Sequence, residues 1–87
     1  MVWKEINGKL CSEIKCHDFK EAVLLFNEIA KVAEKSNHHP DIKIHGYRFM
    51  SIEVYTHDTN SITEKDYKLK KEINLCWTKI QGLDPIY

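Results

Sequence analysis

Only three cysteines, Cys11, Cys16 and Cys76, occur among the 87 residues, and no two of them form a Cys-x-x-Cys pair. That excludes a disulfide framework and gives no zinc-ribbon spacing, so reduced thiols in a cytoplasmic protein are expected. Surplus charge is missing as well, since 13 basic residues balance 13 acidic ones. Without a basic excess there is no electrostatic footprint for nucleic acid or an anionic membrane surface, and a neutral small molecule is the expected partner. No apolar run approaches bilayer length, and Lys4 and Glu5 interrupt the apolar residues of Met1 to Leu10, so neither a membrane span nor a leader is expected. Glycine and proline are scarce, at three and two residues, and no linker, repeat or low-complexity stretch divides the chain. A single domain over residues 1–87 follows, with a thin core, because folding at this length hides only roughly 60 to 65% of the unfolded surface.

What is present is a set of short periodic segments. Val2 to Ile6 and Lys9 to Cys16 flank Asn7-Gly8, a pair that readily supplies the positive backbone angles of a tight hairpin turn. Asp18 can cap a helix, with Glu21 three residues later as the acidic partner of a capping box. From there Phe19, Ala22, Val23, Phe26, Ile29, Ala30 and Ala33 recur at steps of three and four, predicting a helix to about His38 with these residues as its buried stripe. After Pro40, Ile42 and Ile44 alternate with polar residues, Gly46 marks a turn, and Met50, Ile52 and Val54 alternate again up to Thr56, a second hairpin. Thr63 with Asp66 three residues on predicts the start of a second helix, its stripe Leu69, Ile73, Cys76, Trp77 and Ile80, closed by Gly82 and Pro85. The expected fold is an α+β two-layer domain of order β-β-α-β-β-α, with two helices on one face of a four-stranded antiparallel sheet. A two-layer domain of this size has open sheet edges, the Met50 to Thr56 hairpin being the expected one, so a homodimer or larger homo-oligomer such as a tetramer is expected.

The chemistry concentrates in Glu34-Lys35-Ser36-Asn37-His38-His39-Pro40. Histidine is the side chain whose ordinary pKa lies close to physiological pH, and a neighbouring pair suits proton transfer. Pro40 disfavours helical geometry at the preceding residue, so His38 is expected on the helix and His39 off it, the two rings facing a substrate from different angles. Glu34, one helical turn before His38, is placed to orient that ring. His57 follows the last strand at the mouth of the Asp58-Thr59-Asn60-Ser61 loop, where reactive groups are often held. The spacing leaves plainer roles open: a histidine at a helix end also caps free carbonyls, Glu34 also fits a solvated charge pattern, and Asp66 beside a Thr cap needs no function beyond the helix start. His17 and His45 read as turn or strand-end residues. Adjacent histidines cannot easily share one ion and no His-x-x-x-His spacing occurs, so no metal site is expected. No Ser or Cys sits in a recognisable nucleophile elbow, which leaves acid–base chemistry without a covalent step.

Glu34-Lys35-x-x-His38-His39-Pro40-Asp41-Ile42, then Tyr55-Thr56-His57-Asp58, then Ile62-Thr63-Glu64-Lys65-Asp66-Tyr67, with Asp18-Phe19-x-x-Ala22, Phe26 and Trp3 upstream, resemble the pterin-4a-carbinolamine dehydratases over nearly the whole chain. The resemblance implies two hairpins each followed by a helix, and dehydration of a 4a-hydroxytetrahydropterin to the quinonoid dihydropterin without metal or organic cofactor. It also implies that His38, His39 and His57 line the pterin pocket, with His38 and His57 in acid–base work and His39 holding the ring while assisting. By the same match Glu34 orients this set, Pro40 shapes the bend, and Asp66 is a recurrent family aspartate. The chain departs from relatives at Thr59-Asn60-Ser61, where glycines are common, and at Ile42, where some carry Trp. A non-catalytic binding or regulatory module of the same fold, acting through a protein partner, is the competing expectation.

Overall fold

The computed structural model describes residues 1–82, so the predicted contribution of Pro85 to closing the last helix lies outside the described residues. Its elements follow the expected order: β1 (Trp3–Ile6), β2 (Lys9–Lys15), α1 (Phe19–Ser36), β3 (Asp41–His45), β4 (Phe49–Val54) and α2 (Glu64–Gln81). The four strands form one antiparallel sheet in the order β1-β2-β4-β3, with both helices on one face. Asn7 and Gly8 both take positive φ, 50° and 75°, as a two-residue hairpin turn requires, and Trp3 to Ile6 then pair in register with Ser12 to Lys9.

Strand alternation decides which side chains meet the helices. Leu10 and Ile14 of β2 and Met50, Ile52 and Val54 of β4 are buried against Leu25 and Ile29 of α1 and Leu69, Ile73, Cys76 and Ile80 of α2. The edge strand β1 is tied to this layer by the Trp3 indole N–H, which donates to Asn74 of α2 at 2.8 Å. No helix among the described residues is long and apolar enough to cross a membrane.

Three expectations need correction. First, β4 is interior, paired to β2 on one side and β3 on the other, so the Met50 to Thr56 segment offers no open edge; β1 and β3 are the edges. The long crossover through α1 inserts β4 beside β2 and pushes β3 outward. Second, α1 stops at Ser36. Asn37 takes φ 53° in the left-handed region, and the Asn37 and His38 N–H groups return to the Glu34 and Ala33 carbonyls, a Schellman-type close. Asparagine tolerates that conformation, and it ends the helix before Pro40 does, leaving His38 outside it.

Third, the buried arc of α1 runs through Ala22, Leu25, Ile29 and Ala33, while Phe19 and Val23 stay 55% and 36% exposed. Ala22 to Phe26 is apolar on every face, so periodicity cannot choose among them, and packing between sheet and α2 selects Leu25. Leu25→Ala should therefore cost about 3 kcal/mol of stability, against less than about 1 kcal/mol for Val23→Ala, as read by denaturant midpoints.

Candidate functional site

Both helices point their chemistry at one end of the molecule, the carboxyl end of α1 and the amino end of α2. Thr63 caps α2, and the Asp66 carboxylate folds back so that Oδ2 accepts the Thr63 N–H at 2.7 Å. The same oxygen accepts the Thr56 hydroxyl at 2.8 Å. Thr56 Oγ1 in turn lies 2.6 Å from Thr63 Oγ1; with the Thr56 proton committed to Asp66, Thr63 donates across that contact. The other carboxylate oxygen, Oδ1, accepts His38 Nε2–H at 2.5 Å.

Asp66 has no exposed surface, yet its donors satisfy both oxygens. Burial pushes its pKa up, but the hydrogen bonds from His38, the Thr63 N–H and Thr56 together outweigh burial and hold the carboxyl below its ordinary value. An ionised carboxylate on Nε2 makes Nδ1 the free nitrogen of a neutral His38 ring, and Nδ1 takes no partner among the described residues.

His39 points elsewhere. Its Nε2 pairs with the Glu34 carboxylate, and this pair is largely exposed. The Schellman turn swings His38 off the helical path, so Glu34 meets His39 and Asp66 takes the orienting position on His38 that the helical spacing had suggested for Glu34. His57 opens the turn after β4, which is closed by the Thr56 N–H to the Ser61 carbonyl at 2.9 Å with Asn60 at φ 52°. Asparagine thus supplies the positive φ at a loop where relatives are expected to use glycine.

His38, His39 and His57 line one cleft of about 320 Å³ together with Asn37, Thr56, Asp58 and Lys65. Glu34 and Pro40 line the adjoining hollow of about 430 Å³, where Ile42 forms part of the wall beside His39. His38 also borders a groove of about 610 Å³ that runs past Lys68 and Leu69. These sizes suit a small molecule. Among the described residues a further hollow of about 690 Å³ lies at the opposite end between the start of α1 and the end of α2, and its Arg48 is bonded to the Cys16 and His17 carbonyls. His45 is outside the cleft, on the sheet, with Nε2 3.0 Å from Ser51 Oγ.

Sequence reasoning missed Thr56 as a donor to Asp66 and Asn37 and Lys65 as cleft residues. Thr56 could have been found by extending the β4 alternation Ile52, Val54, Thr56 onto the helix side. Among the described residues no group of three or more His, Cys, Asp or Glu side chains gathers as a metal site would. What the cleft offers is a carboxylate-backed imidazole and two further imidazoles, a set suited to moving protons.

The pterin 4 alpha carbinolamine dehydratase family model matches residues 1–76. A protein of Sulfolobus acidocaldarius, named provisionally as a pterin-4-alpha-carbinolamine dehydratase, is 36% identical over 83% of this chain and 78% of its own. A similarly named protein of Sulfurisphaera tokodaii is 43% identical over 67% of this chain, and the match spans only 61% of that relative's length. Among solved structures, a transcriptional coactivator/pterin dehydratase from Brucella melitensis superposes with a TM-score of 0.79 at 28% identity, covering 85% of this chain and 80% of that one. With its fold, its ordered histidines and a family match over most of its length, this chain belongs to the pterin 4 alpha carbinolamine dehydratase family.

Proposed function

We propose that this protein eliminates water from a 4a-hydroxytetrahydropterin to give the quinonoid dihydropterin, in pterin cofactor recycling, by histidine acid–base catalysis. The observation that carries the reading is the Asp66-held His38 ring lining the same cleft as His39 and His57. In the elimination the C4a–O bond breaks with its electron pair on oxygen, the departing hydroxyl takes a proton and leaves as water, and N5 loses its proton as the N5–C4a double bond forms. His38, with Nε2–H on Asp66, takes the N5 proton at Nδ1. His57 delivers the proton to the hydroxyl, and His39, steadied by Glu34, holds the pterin ring. Pro40 fixes the bend that separates the two adjacent rings. No metal or organic cofactor takes part in this scheme.

The setting proposed with it is cytoplasmic, with Cys11, Cys16 and Cys76 as thiols, and the protein acts as one domain in a homodimer or larger assembly. Such an assembly would use the β1 or β3 edge or the exposed Phe19 and Val23 face, and light scattering reads its mass directly. A stopped-flow assay with freshly generated 4a-hydroxytetrahydropterin tests the activity. Wild type should exceed the spontaneous rate. A well-folded protein with no effect would favour a module that serves a protein partner instead; the Brucella protein is named for both coactivation and dehydration.

The Glu34–His39 pair should matter less than the Asp66–His38 pair, because both partners of the former are solvated and exposed ion pairs contribute little. Glu34→Gln is expected to lower the dehydration rate by under about tenfold in the same assay.

A further inference from the structure

We infer that Tyr55 is a positioning residue for His57, an inference that rests on the proposed dehydration. Thr56 is turned to the helix side by its bond to Asp66, and Tyr55 and His57 flank it just past the end of β4. There the two rings lie nearly parallel, with centroids 4.3 Å apart and planes 8° from each other. Lys9 of β2 brings its Nζ to 4.7 Å from the centroid of the same Tyr55 ring, and the Glu53 carboxylate holds that ammonium at 3.6 Å. The Asn7-Gly8 turn also approaches the His57 turn, since a Cβ on Gly8 would stand 3.9 Å from the Asn60 carbonyl.

This contact matters because of what His57 lacks. Unlike His38, it is exposed, and its ring makes no hydrogen bond among the described residues. Left to itself on a turn, an imidazole samples three χ1 wells and two broad χ2 ranges, so roughly one orientation in six would present the proton correctly. Parallel stacking on a ring that follows β4 directly and is faced by a cation removes most of that freedom. Tyr55 thus does for His57, through its ring face, what Asp66 does for His38 through a hydrogen bond. The Tyr55 hydroxyl makes no hydrogen bond among the described residues, so the ring alone carries the role.

The test is a set of Tyr55 variants read by stopped-flow dehydration and by the imidazole proton shifts of His57. Tyr55→Leu should lower kcat about 3- to 10-fold with KM little changed, and should move the His57 ring signals downfield as the ring-current effect is lost. Tyr55→Phe should restore both. On a His57→Ala background, Tyr55→Leu should add no further loss. An active wild type whose kcat survives Tyr55→Leu, or a loss that persists in full without His57, overturns the inference and leaves the dehydratase standing. An inert wild type overturns the proposed function itself and this role with it.

Discussion

Changing Asp66 to asparagine is expected to lower stability by about 3 kcal/mol and the dehydration rate by at least about 10²-fold. The size follows from the surroundings. Asp66 is fully buried, and its two oxygens accept from His38, Thr56 and the Thr63 N–H. Asparagine keeps the shape but offers one acceptor atom in place of two, so a donor is stranded in the interior or must swing away. The rate falls for a separate reason. If the new amide N–H faces His38, Nε2 becomes the acceptor and the ring proton moves to Nδ1, which can then no longer take a proton from N5. Where an aspartate fixes the tautomer of a catalytic histidine in serine proteases, the same change costs about 10⁴-fold, which bounds the loss from above. Denaturant midpoints, stopped-flow rates and the ¹⁵N shifts of His38 measure the parts separately. A destabilised variant that still runs at the wild-type rate would reduce Asp66 to a helix cap.

The same carboxylate predicts an acid limb. Its pKa is lowered on folding, so it binds a proton less readily in the native state than in the unfolded chain, whose aspartates titrate near ~3.9. The stability it confers is fully present above about pH 5 and is lost as the pH falls past that unfolded value through the lower folded one. Wild type and Asp66→Asn should therefore differ most near neutrality and converge as the pH drops below the folded value. Denaturation midpoints across this range give the comparison, and parallel curves at all pH values would refute it.

How far such chemistry could be read in advance depended on the range of the interaction. The Asn7-Gly8 turn, the Thr63 cap and the alternation in β4 act over a few residues, so composition and spacing carried them. Orientation at the site was set over longer range. Asp66 and His38 stand 28 positions apart, brought together only when α1 and α2 pack side by side. Spacing favoured Glu34 for His38, and that reading failed because one left-handed Asn37 turned the chain before the next helical turn was complete. Sheet order was equally hidden, since the pattern of Met50 to Val54 suits an interior strand as well as an edge. The histidines, by contrast, were visible from the start: their side-chain chemistry marks them wherever the backbone takes them.

Removing the two proposed proton-transfer groups tests that chemistry most directly. His38→Ala should slow dehydration by roughly 10²-fold or more, the usual worth of one positioned acid or base, and His57→Ala should do the same. The double variant should not fall by the product of the two losses, because elimination needs a proton given and a proton taken in one event, and groups acting as a unit are strongly non-additive. Stability should separate the two sites. His38 is mostly buried against Asp66, so its removal strands a buried carboxylate and lowers the denaturant midpoint, whereas His57 is exposed and its removal should leave the midpoint nearly unchanged. His57→Ala is for that reason the cleaner variant: a protein with wild-type stability and a hundredfold lower rate ties the loss to proton transfer rather than to folding. Wild-type rates in both single variants, each shown to be folded, would remove acid–base catalysis by this histidine set from consideration and leave the cleft as a binding site.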